Sequence, residues 1–256
     1  MTSSQRLTKK VIIVVIYILI FITFIFIIVV SFFPRKPVIT VEEPDIKALQ
    51  IIKSGTIKLE NGKSDFWAEI SNPNDNFGAS KFEYNFILQD SEGNKEIKKR
   101  GESFILPGDK KRYILLLDMS PNYKLVNFEL STSNIEWRQL SKLDLPELSI
   151  RNVALGNSMK AGNLFTVFGI LTNNSSVNLK NIQVIAILTD NNSNIVGVNE
   201  TSIRDVLTSQ SRDFEMTWRD EIPNTSNANT IIYAQSNILR DNELLIQLQQ
   251  SPIFER

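Results

Sequence analysis

Few residues in this chain have the types and spacing that do chemistry. The densest group is Asp190-Asn191-Asn192-Ser193-Asn194. Its Asp-x-Asn-x-Asn opening is that of a loop that wraps calcium in oxygen ligands. Such loops also need a glycine at the sixth position for the sharp turn and a glutamate at the twelfth to grip the ion with both oxygens. Those positions hold Ile195 and Thr201. The segment therefore reads as a hairpin tip whose Asp and Asn side chains satisfy nearby backbone groups. A second pair is Ser158 with Lys160. With His at 0, a serine nucleophile would have to use lysine as its base. No oxyanion-stabilising pattern surrounds the pair.

A basic run is the third group: Lys95, Lys98, Lys99 and Arg100, with Lys110, Lys111 and Arg112 further on. It would suit anionic headgroups or an acidic polymer. Glu92, Glu96, Glu102 and Asp109 are interleaved with it, and lysine on an edge strand blocks unwanted strand pairing. A solvated hairpin is the simpler reading. Asn-x-Ser/Thr triplets begin at Asn173, Asn174, Asn191, Asn199 and Asn224; they follow from an Asn-rich sequence and matter only in a glycosylating host.

Composition narrows the function further. The absence of His and Cys removes the commonest general base and the ligands of zinc and soft-metal sites. The sequence is thus expected to be no enzyme, with no metal and no cofactor. Net charge is 0. Residues 41–143 carry 15 basic and 16 acidic residues, and residues 144–256 carry 8 and 12. Neither half is basic enough for nucleic-acid binding.

The elements that hold these residues begin with a membrane segment. Residues 11–33 are apolar apart from Tyr17, Thr23 and Ser31. At about 1.5 Å per residue they span roughly 34 Å, enough for a hydrocarbon core. The run exceeds the apolar core of a cleavable signal, and Pro34-Arg35-Lys36-Pro37 offers no small-residue cleavage site. It is expected to be an uncleaved signal anchor with the lipid bilayer as its partner. Residues 1–10, with Arg6, Lys9 and Lys10, are expected on the cytoplasmic side, and the rest outside. The helix lacks Gly, Ala and ionisable residues, so it carries no small-residue dimer motif or ion path.

Residues 34–45 read as a stalk. Beyond it, Phe82, Tyr84, Phe86 and Leu88 alternate with Glu83, Asn85, Ile87 and Gln89, the pattern of a half-buried strand. Asp90 to Asn94 and Pro107-Gly108-Asp109 are turns. The pattern recurs 100 or 101 residues later. Phe168 to Asn173 matches Trp67 to Asn72. Ile182, Val184, Ala186 and Leu188 match the alternating strand, and Phe214, Met216 and Trp218 match Tyr113, Leu115 and Leu117. Short strands with a turn about every ten residues predict an all-β fold: two tandem immunoglobulin-like β-sandwich domains, 46–143 and 144–248, preceded by a single transmembrane α-helix. The linker falls at 141–146, and 249–256 are a tail. The stretch 237–250 reads as a last strand or short helix.

At these strands the chain resembles the FxLYD-type domain family. Phe86-Ile87-Leu88-Gln89-Asp90 matches the signature with Gln for Tyr, and Ala186-Ile187-Leu188-Thr189-Asp190 keeps its Leu and Asp. Gly169 with Asn173 fits the upstream pattern. The resemblance implies a small immunoglobulin-like sandwich common in prokaryotic envelope proteins. It brings no catalytic residues and no general ligand.

One feature points to a partner. Trp67, Phe168, Ile170, Ile185 and Ile187 are apolar residues on strand faces that a half-buried strand keeps polar. Exposed together they would form a docking patch for an envelope protein. Otherwise they pack beneath other parts of the chain or lie on different sheets and form no single patch. The expected role is a membrane-anchored interaction or scaffold protein. The alternative is a binder of envelope polymer or glycan through aromatics such as Trp67.

Overall fold

The computed structural model describes residues 3–32, 44–59, 62–90, 92–93, 96–119, 123–141, 145–158, 164–218 and 229–250. The chain divides into two units, Met1–Asp45 and Ile46–Arg256. In the first unit, the run of branched and aromatic residues forms one helix, α1 (Ser3–Phe32), with no Gly or Pro to interrupt it. The Thr23 hydroxyl donates to the Leu19 carbonyl at 2.6 Å, so this polar group is satisfied within the helix. Side chains are described for residues 13–29, and all are exposed. That stretch is about 26 Å long, shorter than a hydrocarbon core of about 30 Å. Among the described residues no helix is long and apolar enough to cross a membrane. The stalk and the C-terminal tail fall almost wholly outside the described residues.

The second unit is built of antiparallel strands. Its first half holds β1 (Gln50–Lys58), β2 (Ser64–Ser71), β3 (Phe77–Asp90), β4 (Glu96–Ile105), β5 (Arg112–Met119), β6 (Tyr123–Leu130) and β7 (Glu136–Gln139). They form two sheets, β1-β2-β5 and β4-β3-β6, with β7 also paired to β3. The second half holds β8 (Leu148–Ser158), β9 (Leu164–Asn173), β10 (Leu179–Thr189), β11 (Ile195–Val206), β12 (Ser211–Thr217) and β13 (Asn229–Gln235). Its sheets are β12-β9-β8 and β11-β10-β13. The strand order of one half is that of the other, so the repeat read from the sequence is a repeat of topology.

Each half has a core between its two sheets. In the first, Phe66, Ala68 and Ile70 of β2 meet Phe82, Phe86 and Leu88 of β3. In the second, Val167 and Leu171 of β9 meet Ile182, Val184, Ala186 and Leu188 of β10. The predicted alternation of β3 and β10 thus faces inward as its period requires.

The repeat is misaligned at one place. Trp67 pairs with Leu115, whereas the matching Phe168 pairs with Glu215. Along β5 and β12 the offset is therefore 100, so Phe214 and Met216 correspond to Ile114 and Leu116. Beyond Leu116 a bulge shifts the register, and Trp218, whose backbone N–H donates to the Phe165 carbonyl at 3.0 Å, falls at the place of Met119. A one-residue slip reverses every side chain. Tyr113, Leu115 and Leu117 face out of the first core, while Phe214 and Met216 face into the second.

After β13 the chain makes a 3₁₀ turn, Ile238–Arg240, and a short helix, α2 (Asn242–Gln250). The ambiguous last segment is helical. Leu244, Leu245 and Leu248 lay its apolar stripe on the second core. The Asp241 carboxylate accepts from the Leu244 N–H at 3.2 Å and caps its start.

Candidate interaction surface

The outward apolar residues do not form one patch. Trp67 is 8% exposed, Ile185 2% and Ile187 1%. They are buried against each other's surroundings in a third cluster with Ile57, Tyr113 and Val198. Trp67 and Tyr113 stand on the outer face of β1-β2-β5; Ile185, Ile187 and Val198 stand on that of β11-β10-β13. These two faces close on one another and form a seam. Layer order is therefore β4-β3-β6, β1-β2-β5, β11-β10-β13, β12-β9-β8. The surface reading of Trp67, Ile185 and Ile187 is corrected: they join the two sandwiches because each central sheet is apolar on both sides.

Close approach in the seam depends on one glycine. Gly55 pairs with Trp67 across β1 and β2. A Cβ at Gly55 would lie 2.8 Å from the Trp67 ring, so the indole lies flat only over a residue with no side chain. Tyr113 reaches across to Tyr233, with ring centroids 5.4 Å apart. Its hydroxyl donates to Glu69 Oε2 at 3.1 Å, and burial with that carboxylate beside it raises the Tyr113 pKa far above the usual phenol range.

A polar lock stands beside the seam. Arg112 ends the basic run in the sequence, but it is 3% exposed. Its guanidinium donates to Gln235 Oε1 at 2.6 Å and to Gln183 Oε1, both from the second sandwich. It stacks on the Phe104 ring at 4.3 Å. Gln235 in turn donates to Asp109 Oδ2 at 2.6 Å. Desolvation lowers the Arg112 pKa to about 10, with Asp109 and Glu200 opposing the shift. The 3₁₀ turn adds a second tie. Asn237 Nδ2 and Arg240 Nε donate to the Ser80 carbonyl at 3.0 and 3.2 Å.

The rest of the basic run is dispersed. Lys98 pairs with Glu129 at 3.5 Å and Arg100 with Glu83 on the outer face of β4-β3-β6. Lys81 pairs with Glu102 at 2.9 Å on the same face. Lys95 lies outside the described residues. This is an alternating ion-pair surface and not a cationic field.

Phe168 and Ile170 are the two predicted residues that face away from the seam. Both lie on β9, on the outer face of β12-β9-β8. Phe168 is 36% exposed and Ile170 is half-buried. Their cross-strand neighbours are Ala154 and Glu215, and Arg151 and Asp213. The apolar spot is therefore small and rimmed by charge. On edge strand β8, Val153 and Leu155 are also exposed, at 44% and 43%, but Leu155 pairs with core-facing Val167 and so lies on the other face of the sheet from Phe168.

The chemistry-bearing groups take structural places. Asp190 Oδ1 accepts from the N–H groups of Asn192 and Asn194 at 2.9 and 2.8 Å, and Oδ2 from Asn194 Nδ2 at 3.0 Å. These bonds hold its carboxyl below the usual range. Among the described residues no cluster of His, Cys, Asp or Glu could hold a metal ion. Lys160 and the Ser158 side chain lie outside the described residues, as does Asn224. Asn173, which fits the upstream pattern of the resemblance, has a part in the fold that the sequence reading missed. Asn173 Nδ2 donates to the carbonyls of Val177 and Val206 at 2.8 and 3.2 Å, and Asn72 does the same to Phe77 and Leu106 at 2.7 and 2.9 Å. Each is wholly buried and ties the β2–β3 or β9–β10 corner to the neighbouring turn. The signal available was the offset of 101 between two asparagines that end equivalent strands.

No protein-family model matches the chain, and no curated protein matches its sequence.

Proposed function

We propose that the chain is a single-pass, membrane-anchored component of the cell envelope whose two immunoglobulin-like sandwiches act as one protein-interaction or scaffold module. The observation that carries this reading is the seam. The two central sheets spend their outward apolar residues on each other, which makes a single body and leaves the outer sheets to solvent. Fixing the two sandwiches together lowers the entropy cost of presenting a surface to a partner. The sheet orders, with antiparallel sheets facing across a core in each half, support the immunoglobulin-like assignment. The FxLYD-type resemblance is part of the proposal and rests on Phe86, Leu88 and Asp90 with their counterparts Leu188 and Asp190.

Anchoring is proposed through residues 11–33, with the N-terminal side cytoplasmic and residues 46–256 outside. The supporting observations are the unbroken apolar sequence and the continuity of α1 over 30 residues. The reading assigns the protein no catalytic step and no nucleic-acid partner. Its contact surface is narrowed to Phe168 and Ile170, with the β8 edge open to strand addition. The glycan alternative loses support at Trp67, since a buried indole offers no platform.

The test is cross-linking and affinity purification of tagged full-length protein from its native membrane, with mass spectrometry of the co-purifying material. A single enriched protein, cross-linked near Phe168 and Ile170, is the expected result. Recovery of the protein alone would overturn the interaction-module reading.

A further inference from the structure

We propose that the start of β10 is a docking edge for an extended segment of a partner protein, which adds to the sheet β11-β10-β13 as a short strand. The inference goes beyond the scaffold reading, which placed its contact on β9 and β8, and its failure would leave that reading standing.

The repeat shows what fits there. In the first sandwich β6 pairs with β3 from Tyr84 to Asp90. β7 then takes the same side of β3 from Phe77 to Lys81, since β4 occupies the other. In the second sandwich β13 pairs with β10 from Gln183 to Thr189. Among the described residues no strand follows it beside residues 177–181. These are the counterparts of Phe77 to Lys81, since Leu179 pairs with Val206 as Ala79 does with Ile105. Exposure follows the difference. Ser80, whose hydroxyl donates to the Glu136 carbonyl of β7 at 3.1 Å, is 1% exposed. Its counterpart Lys180 has 86% of its side chain exposed.

After β13 the chain turns into the 3₁₀ segment and α2, and a cavity of about 820 Å³ remains beside β10. Its walls run from Asn178 to Asn181 on β10, through the turn after β13, to Leu244 at the start of α2. It closes at Gln183 and Gln235, where the β13 pairing begins. Ser236 Oγ donates to the Asn181 carbonyl at 2.7 Å, so that carbonyl points to the β13 side. In an antiparallel strand the N–H and C=O of one residue point the same way. The Asn181 N–H therefore faces the cavity, at the position where Lys81 pairs with Glu136 of β7.

The lining carries two cations, Lys180 and Arg240, and two carboxylates, Asp241 and Glu243. Lys180 pairs with Asp241 at 2.8 Å. With the signs balanced, main-chain pairing selects the occupant and charge does not. Four residues at about 3.3 Å each span about 13 Å, the length of β7. That strand, Glu136-Trp137-Arg138-Gln139, also gives the pattern: one apolar side chain among polar ones. Its Trp137 stands opposite Ala79. Leu179 is larger, so the occupant carries a smaller apolar residue at that place. The β7 of a second copy is held by its own β3, so the segment comes from another protein.

The test uses full-length protein in lipid nanodiscs and fluorescent peptides. One peptide copies residues 134–140, a second carries Trp137→Val, and a third is scrambled. The expected result is saturable anisotropy with the first two, tighter for the valine peptide, and none with the scrambled one. Bound peptide should slow amide exchange at residues 177–181 and leave β8 unchanged. Asn181→Pro removes the N–H that faces the cavity. It should weaken binding about tenfold, the worth of one hydrogen bond, while Ile170→Asp should not. If Asn181→Pro does not fold, the exchange map of the parent decides. No saturable binding, or protection along β8 instead, overturns the proposal. So does an edge protected without peptide that opens in a chain ending at Gln250, because the protein's own end would then be the occupant.

Discussion

At the scale of single residues, the fold rests on a pair of buried asparagines. Asn72 also accepts from the Asn74 N–H at 3.0 Å, and Asn173 from the Ser175 N–H at 3.1 Å. Asn72→Ala or Asn173→Ala would remove two bonds donated to buried carbonyls and the acceptor of one N–H. Each should lower stability by about 2–4 kcal/mol, read from the midpoint of urea unfolding. Asn→Asp should cost as much, because a carboxylate cannot donate to the carbonyls. The Asp190 loop gives a pH prediction. Its folded carboxyl is held below the ordinary 3.8 by bonds from Asn194 and Asn192. The stabilisation is therefore complete above that value and lost as pH falls through the lower folded one. Amide exchange at Asn192 and Asn194 should accelerate as pH falls below 3.8 and the carboxylate is protonated, while exchange in the β10 core stays slow. Asp190 was legible from its neighbours in the sequence. Arg112 was not, because its partners Gln183 and Gln235 lie 71 and 123 residues away.

At the scale of elements, the strands with a clean period of two could be read directly. β3 and β10 are examples, since one face of each is a core of Phe, Ile or Leu. β5 could not be aligned that way. In Tyr113 to Leu117 all five residues are apolar, and a strand buried on both faces shows no alternation to fix its register. The same cause hid the destination of Trp67, Ile185 and Ile187. Sequence showed that these side chains were apolar on the second face, but only the stacking of the sheets shows what covers them. Ile187→Asp should therefore act on the seam more than on either core. It replaces a side chain 1% exposed by a charge with no partner, a loss of at least about 3 kcal/mol. Calorimetry should then resolve two melting transitions where the parent shows one. Ile170→Asp, on the solvent face of β9, should keep a single transition and cost under about 1 kcal/mol.

At the scale of the whole molecule, the proposed anchor sets a prediction for fractionation. If residues 11–33 anchor the chain as proposed, full-length protein should stay with membranes through alkaline carbonate extraction. A chain beginning at residue 44 should be released into the soluble fraction. Added protease should cut the outer domains in right-side-out vesicles and spare them in inverted ones. Appearance of the full-length protein in the carbonate supernatant would remove the anchor from the reading.

The seam also limits how far this architecture can grow. Its two halves are complementary and unlike: the first sandwich offers Trp67 and Tyr113, the second Ile185 and Ile187. A third copy would need to meet one of the two remaining end faces. One carries Glu83, Lys98 and Arg100 in ion pairs, and the other sets Phe168 among Arg151, Asp213 and Glu215. Both terminal sheets are thus polar end-caps, as in repeat arrays whose outermost units are kept soluble. Each half spends the apolar second face of its central sheet on the other, so among the described residues the stack offers no second seam of the same kind.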